Sequence, residues 1–170
     1  MVKLFGAVVL VLASGLAGLS VGHSYVRRPR ELKSLQTALK LLATEISYAL
    51  SPLPEALTNV AARSPVEVAS LFRMAATELA NGGPAARAWQ TACAHWGQGS
   101  CLAESDLALI NQLGQALGIS DREDQMSHLQ LVSSQLEQQI AQAQEAADKN
   151  VRLWNYLGFL GGTALALILY

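Results

Sequence analysis

Catalytic motifs are absent from this sequence of 170 residues. It has no glycine-rich phosphate loop ending in Lys-Ser or Lys-Thr, no His-Glu-x-x-His helix and no nucleophile elbow. The three histidines, His23, His95 and His128, are scattered along the chain and suggest no shared site. We therefore predict that the protein is not an enzyme and that it has no catalytic residue, cofactor or metal ion.

Cysteine is also scarce, because Cys93 and Cys101 are the only two in the chain. A zinc site made from Cys93, His95 and Cys101 has suitable ligand types, but it lacks a fourth ligand at a normal spacing. Cytoplasmic thiols stay reduced. Two free thiols are the prediction, and we assign them no function.

Charged residues make up only 15% of the chain, against 51% hydrophobic residues, and the charges are segregated. Residues 41–148 contain four basic and twelve acidic side chains, a net charge of −8, whereas residues 27–40 are basic. The acidic body offers no basic face for phosphates, so nucleic acid is not an expected partner. The basic segment can instead meet anionic lipid headgroups.

Two long uncharged runs, near the two ends of the chain, account for the high hydrophobic fraction. About 20 apolar helical residues cross a bilayer core of ~30 Å. We predict transmembrane helices over residues 1–26 and 153–170, with a helical domain over residues 27–152. A cleaved signal peptide is the alternative for the first run, although the run exceeds the usual apolar region of about 7–15 residues. Small residues four apart favour close packing of membrane helices, at Ser14, Gly18, Gly22, Gly158 and Gly162.

The orientation follows from the basic residues that flank the two runs. Arg27, Arg28, Arg30 and Lys33 follow the first run, and residues 149–152 precede the second with two more basic side chains. Because positive residues remain on the cytoplasmic side, residues 27–152 should face the cytoplasm. The protein is therefore predicted to be a two-span protein of the cell membrane.

The domain itself is predicted to be all-α, a bundle of about six helices. Proline, glycine and capping residues divide it, and the apolar residues recur at three- and four-residue steps. Ser64, with Pro65 and Glu67 after it, predicts a capping box at one helix start. The two outer helices are expected to be antiparallel and continuous with the membrane spans. The predicted helices cover residues 30–49, 52–62, 65–80, 84–96, 102–117 and 121–152.

Two groups of polar residues interrupt the apolar pattern of the outer helices. One is Glu45 with Tyr48 in the first outer helix, and the other is at the start of the last helix, between Asp121 and His128. Their interpretation stays open between a polar network that joins the two helices and a docking surface for a partner. An enzymatic site around Asp121, Glu123, Asp124 and His128 is less favoured, because acidic residues in a first helical turn usually complement the helix dipole. The candidate docking residues are Glu45, Tyr48, Asp121, Arg122, Gln125 and His128.

The chain resembles the stage III sporulation protein AB family over nearly its whole length. The likeness rests on the motifs Arg28-Pro29-Arg30-x-Leu32, Leu39-x-x-Leu42-x-x-Glu45-Ile46-x-Tyr48, Pro52-Leu53-x-Glu55-Ala56-Leu57 and Leu113-Gly114-x-x-Leu117-Gly118-x-Ser120-Asp121-Arg122-x-x-Gln125-x-x-His128-Leu129. Shorter matches occur at Lys3-Leu4-x-Gly6-Ala7 and Leu157-Gly158-Phe159-Leu160-x-Gly162. Residues 92–100 show no family pattern.

The resemblance implies a subunit of the channel complex that links mother cell and forespore, in the mother-cell membrane around the forespore. The family's soluble domain is similar to a domain of the inner-membrane platform proteins of type II secretion and type IV pilus machines. Such platforms contact a cytoplasmic ATPase, here expected to be stage III sporulation protein AA. The resemblance thus predicts a non-catalytic scaffold that binds an ATPase and other membrane subunits. Independently of the resemblance, we expect that the chain can form a homo-oligomer. A small channel made by oligomerised spans is the alternative, although neither run has an ionisable residue at its middle.

Overall fold

The structure is a computed structural model that describes residues 26–49, 51–117 and 122–169. This part of the chain forms six helices and contains no strand, which confirms the all-α prediction. Helix α1 covers residues 26–44 and ends in a π-helical turn, Glu45–Ala49. The other helices are α2 (Leu53–Arg63), α3 (Val66–Ala80), α4 (Ala85–Gly97), α5 (Glu104–Ala116) and α6 (Arg122–Leu169).

Prolines begin three of these helices, at positions close to those predicted. Pro52, Pro65 and Pro84 each occupy the N-cap, where the missing N–H removes no helical hydrogen bond. The predicted capping box at Ser64 is wrong, because Pro65 is the N-cap of α3 and no side chain caps it. The Ser64 hydroxyl oxygen is buried and has no hydrogen-bond partner within the described ranges. Gly82, with φ +87°, stops α3 as predicted, because this left-handed conformation favours glycine.

The chain divides into two compact units. One unit is Arg30–Ile140, and the other contains the segments on either side of it. In the Arg30–Ile140 unit, α2 packs on the π-helical turn and on α3, α3 on α4, and α4 on α5. The largest side chains that are almost fully buried are Trp89, Phe72, Leu32, Leu35, Leu39, Leu42, Leu71, Ile110, Leu113, Leu117, Leu129 and Leu136.

Helices α1 and α6 run antiparallel within this unit, as expected. The Gln36 side-chain amide donates to the Ser133 carbonyl oxygen over 3.3 Å, and the Ser47 hydroxyl lies 2.9 Å from the Met126 sulfur. Gln36 precedes Ser47 in the chain, whereas its partner Ser133 follows Met126, the partner of Ser47. The two helices therefore run in opposite directions. The two contacts fix which side of each helix faces the other.

None of the described helices is both long enough and apolar enough to cross a membrane. Residues 1–25, with Ser14, Gly18 and Gly22, lie outside the described ranges. Helix α6 continues without a break through Gly158 and Gly162 to Leu169. Both membrane spans stay predictions.

Candidate partner-docking site

Glu45 begins the π-helical turn at the end of α1, and its carboxylate is buried, with 7% of the residue exposed. Its two oxygens accept hydrogen bonds from α2. The Asn59 amide donates over 3.0 Å and the Arg63 guanidinium over 3.2 Å. A buried carboxylate needs such partners, because an unpaired one would carry a desolvation cost of several kcal/mol. This three-residue cluster, the Glu45 clamp, therefore joins the π-helical turn to α2.

Tyr48 lies in the same turn but is oriented outward, with 84% of the residue exposed. The turn itself is held by the Glu45 clamp on one side and by the contact between Ser47 and Met126 on the other. An exposed aromatic side chain on a fixed backbone has little backbone entropy to lose when a partner binds. Short π-helical turns are also frequent at functional sites.

The other predicted docking residues are at the start of α6. Arg122 is the first residue of that helix, and Asp121 lies outside the described residues. Gln125 is half-buried next to Met126, whereas His128 is exposed. The His128 ring nitrogen Nδ1 lies 2.9 Å from the Asp124 carbonyl oxygen.

The structure therefore brings part of the predicted set together. The contact of Ser47 with Met126 places the turn that contains Tyr48 beside the start of α6. The polar network takes a different form from the one expected, because the described partners of Glu45 lie on α2 rather than on α6. Sequence reasoning missed Asn59 and Arg63. Their spacing of four residues on α2 is a clue, but the choice of Glu45 as acceptor depends on how α2 packs.

Two further buried carboxylates were also missed, and both bind backbone groups. Glu31 on α1 accepts from the Cys101 backbone N–H over 2.9 Å, and Asp106 on α5 accepts from the Ala103 N–H over 2.9 Å. Asp106 sits three residues after the N-cap of α5, where a carboxylate complements the helix dipole. These contacts fix the segment between α4 and α5.

A cleft of about 440 Å³ lies between α4 and α5, with Cys93, Glu104 and Leu107 among its lining residues. None of its lining residues belongs to α6, so the cleft does not include His128. Burial raises the pKa of the Cys93 thiol from 9.0 to about 12. Such a thiol is protonated at physiological pH and is a poor nucleophile. Neither cysteine is in a disulfide, and the described residues contain no cluster of three or more side chains able to hold a metal ion.

The raised pKa makes a testable difference between the two thiols. At mildly alkaline pH a thiol reagent should modify half-buried Cys101 and leave Cys93 unmodified until denaturant is added. As the pH rises from 9.0 towards 12, the unfolded thiol ionises before the folded one, so the contribution of Cys93 to stability should decrease. Mass spectrometry after timed alkylation measures this difference. Equal rates at both thiols in the native protein would contradict the burial of Cys93.

Comparison with known proteins decides the family. The model of the stage III sporulation protein AB family matches residues 3–170. Stage III sporulation protein AB of Bacillus subtilis (strain 168) is 35% identical in an alignment of 170 positions that covers 99% of each chain. The chain belongs to the stage III sporulation protein AB family. A solved structure of a stage III sporulation protein AB has 32% sequence identity and a TM-score of 0.68, and the match covers 72% of this chain and 97% of that one.

Membership of the stage III sporulation protein AB family gives the chain a role in sporulation. The family is named for a developmental stage and not for a reaction. The family resemblance stated from the sequence motifs is confirmed over nearly the whole chain. The family name specifies neither the partners nor the residues that bind them.

Proposed function

We propose that this chain is a non-catalytic membrane platform of the channel complex between mother cell and forespore. In this role it receives a cytoplasmic ATPase of the stage III sporulation protein AA type and contacts other membrane subunits. Family membership supports the sporulation role, and the absence of catalytic motifs supports a scaffold. The exposed Tyr48 on a turn fixed by the Glu45 clamp is the observation that carries the docking part.

The membrane part of the proposal rests on the sequence. Residues 1–26 and 153–170 would span the mother-cell membrane, and residues 27–152 would face the cytoplasm, because the basic residues lie on that side of both runs. Alkaline phosphatase fused after Tyr170 should be active, and the same enzyme fused after residue 100 should be inactive. Activity of both fusions, or of neither, would contradict this topology.

The proposed docking surface contains Tyr48, Gln125 and His128, together with Asp121 and Arg122. Tyrosine and arginine are common among the few residues that dominate the energy of protein interfaces. Tyr48 is the group we expect to enter a pocket of the ATPase. Glu45 is a positioning residue, because it lies beneath the surface and acts through the turn that it holds.

The test is co-purification of the cognate ATPase with the full chain, with and without nucleotide. Tyr48→Ala should lower the affinity by about tenfold or more, since loss of a dominant interface residue costs about 2 kcal/mol and each 1.4 kcal/mol is tenfold. Val66→Ala is the matched control, because Val66 is an equally exposed apolar residue, at 87%, in a different helix. It should change the affinity by less than about twofold.

Two further variants separate positioning from direct contact. Glu45→Ala should weaken ATPase binding without removing any group from the surface. Glu45→Gln keeps one acceptor oxygen for Arg63, and its NH2 can donate to the Asn59 side-chain oxygen after that amide turns over, so this variant should bind better than Glu45→Ala. Double charge reversal at Asp121 and Arg122 should also weaken binding. If Tyr48→Ala and this double variant left both ATPase co-purification and spore formation intact, the docking surface would be wrong.

A further inference from the structure

The seam between α1 and α6 carries exposed residues of both helices on one surface. Residues three or four positions from a helix contact lie on the same side of that helix. Applied to the contacts of Gln36 with Ser133 and of Ser47 with Met126, this rule places six exposed residues along the seam. We call them the seam surface: Lys33, Lys40 and Thr44 on α1, and Glu123, Gln130 and Glu137 on α6.

The charges of the seam surface are sorted by helix. Its two lysines are on α1, where the only carboxylates, Glu31 and Glu45, are buried. Its two glutamates, Glu123 and Glu137, are on α6. None of the four exposed charges forms an ion pair in the part of the chain that the structure describes. The surface therefore consists of a positive column and a negative column side by side.

Such a surface is complementary to itself. Consider a two-fold axis that is parallel to the helices and passes in front of the seam. It places the positive column of each copy opposite the negative column of the other copy. The axis does not shift either copy along the helices, so the intrachain register also sets the register between copies. Because Gln36 lies beside Ser133, Lys33 of each copy would lie opposite Glu137 of the other.

We propose that two copies of this chain associate through the seam surface, with α1 of each copy against α6 of the other. An unrelated partner would need one basic and one acidic column at the same spacing, whereas a second copy has both. The two-fold axis also gives both copies the same orientation.

The size of the surface predicts how strong the association is. Glu123 and Glu137 are fourteen positions apart, a rise of about 21 Å along the helix. Two neighbouring helices are about 20 Å wide, so each copy buries on the order of 400 Å². This is about half of the ~800 Å² per partner of a standard interface. The dimer should therefore be weak in dilute detergent and should form when the chains share a membrane, where the local concentration is high. The association requires no ATPase.

Cross-linking of the full chain in membranes tests the geometry. Two differently tagged copies are co-produced, one with Thr37→Cys and the other with Ser134→Cys, and treated with a short bis-maleimide. Both positions are exposed beside the seam, and both hydroxyls bond only to their own helix, to the carbonyl oxygens of Lys33 and Leu131. The yield of mixed-tag dimers should exceed that of a wild-type pair by at least about fivefold. The wild-type pair measures the background of cross-links that the native cysteines form.

Thr77→Cys is the matched control for the α1 position. Thr77 is exposed on α3, and its hydroxyl bonds to the Arg73 carbonyl oxygen as that of Thr37 bonds to Lys33. Paired with Ser134→Cys, it should give no more dimer than the wild-type pair. Dimers formed equally by Thr77→Cys, or formed best between two Thr37→Cys copies, would overturn the proposal.

A charge exchange tests the proposed pairing of the two columns. Lys33→Glu with Lys40→Glu, introduced into the copy with Thr37→Cys, should lower the cross-linked yield at least about fivefold. Adding Glu123→Lys with Glu137→Lys to the copy with Ser134→Cys should restore it, because the reversed columns again have opposite signs. A yield that does not fall, or that falls and is not restored, would contradict pairing between the columns. If the yield does not fall, the two lysines would instead contact anionic lipid or another protein.

Discussion

Replacing Trp89 with alanine should lower the free energy of unfolding by about 3–5 kcal/mol, the usual cost of truncating a large core aromatic. Trp89 is 1% exposed, and its indole N–H donates to the Ile110 carbonyl oxygen over 2.9 Å. Its ring also packs edge-on against Phe72, with 5.6 Å between the ring centroids. The substitution therefore removes contacts from α3, α4 and α5 together. Thermal unfolding of the full chain, followed by far-ultraviolet circular dichroism, measures the change.

Trp89→Phe is the matched variant, because it keeps an aromatic ring and removes the donor to Ile110. The expected loss is about 1–3 kcal/mol, because the variant loses one buried hydrogen bond and its smaller ring leaves space unfilled, while the Ile110 carbonyl oxygen stays within helix α5. The melting temperature should therefore fall in the order wild type, Trp89→Phe, Trp89→Ala. A Trp89→Ala protein as stable as wild type would mean that α4 does not pack on α5 as described.

Gly114→Ala should destabilise the chain by about 1–3 kcal/mol, the usual cost of overpacking a core. A Cβ atom at Gly114 would lie 2.7 Å from Cδ1 of Trp89 and 3.2 Å from its Cβ. The ring cannot easily move away, because its N–H is bonded to Ile110 one turn earlier on the same helix. Glycine at this position therefore allows α5 to approach Trp89 closely. The same thermal unfolding measures the effect.

Gly99→Ala provides the control for the glycine prediction. The nearest atom to a Cβ at Gly99 is the Trp96 carbonyl oxygen at 4.0 Å, so the substitution meets no obstacle. Its effect should stay within about 0.5 kcal/mol. If Gly114→Ala were as harmless as Gly99→Ala, the close approach of Trp89 to α5 would be wrong.

Much of the fold is predictable from local chemistry. Prolines at positions 52, 65 and 84 and the glycine at 82 mark helix boundaries, because each restricts the backbone in a way that depends only on that residue. The apolar stripe of α1 predicts its buried leucines, since its period matches the helical turn. The capping box at Ser64 fails for the same local reason, because Pro65 occupies the N-cap itself.

The site is less predictable, because it depends on contacts between distant helices. The sequence draws attention to Glu45 and Tyr48 but cannot separate their orientations, one buried and one exposed. That separation depends on the π-helical turn and on the position of Asn59 and Arg63, which follows from how α2 packs. The close approach of Trp89 to Gly114 likewise joins positions that no sequence period relates.

The buried carboxylates show how the same residue type serves different purposes. Glu31 and Asp106 bind backbone N–H groups, and Glu45 binds two side chains, so all three fix local geometry. The exposed carboxylates Glu123 and Glu137 have no such partner among the described residues. Burial and bonding therefore distinguish structural acids from those free to meet a second protein.

Photo-cross-linking in sporulating cells tests most directly our proposal that the π-helical turn of this protein meets a cytoplasmic ATPase. A photoreactive phenylalanine at Tyr48 should form an adduct with the stage III sporulation protein AA-type ATPase. The same residue at exposed Thr77 on α3 should form none. An ATPase adduct from Thr77 and none from Tyr48 would contradict the account.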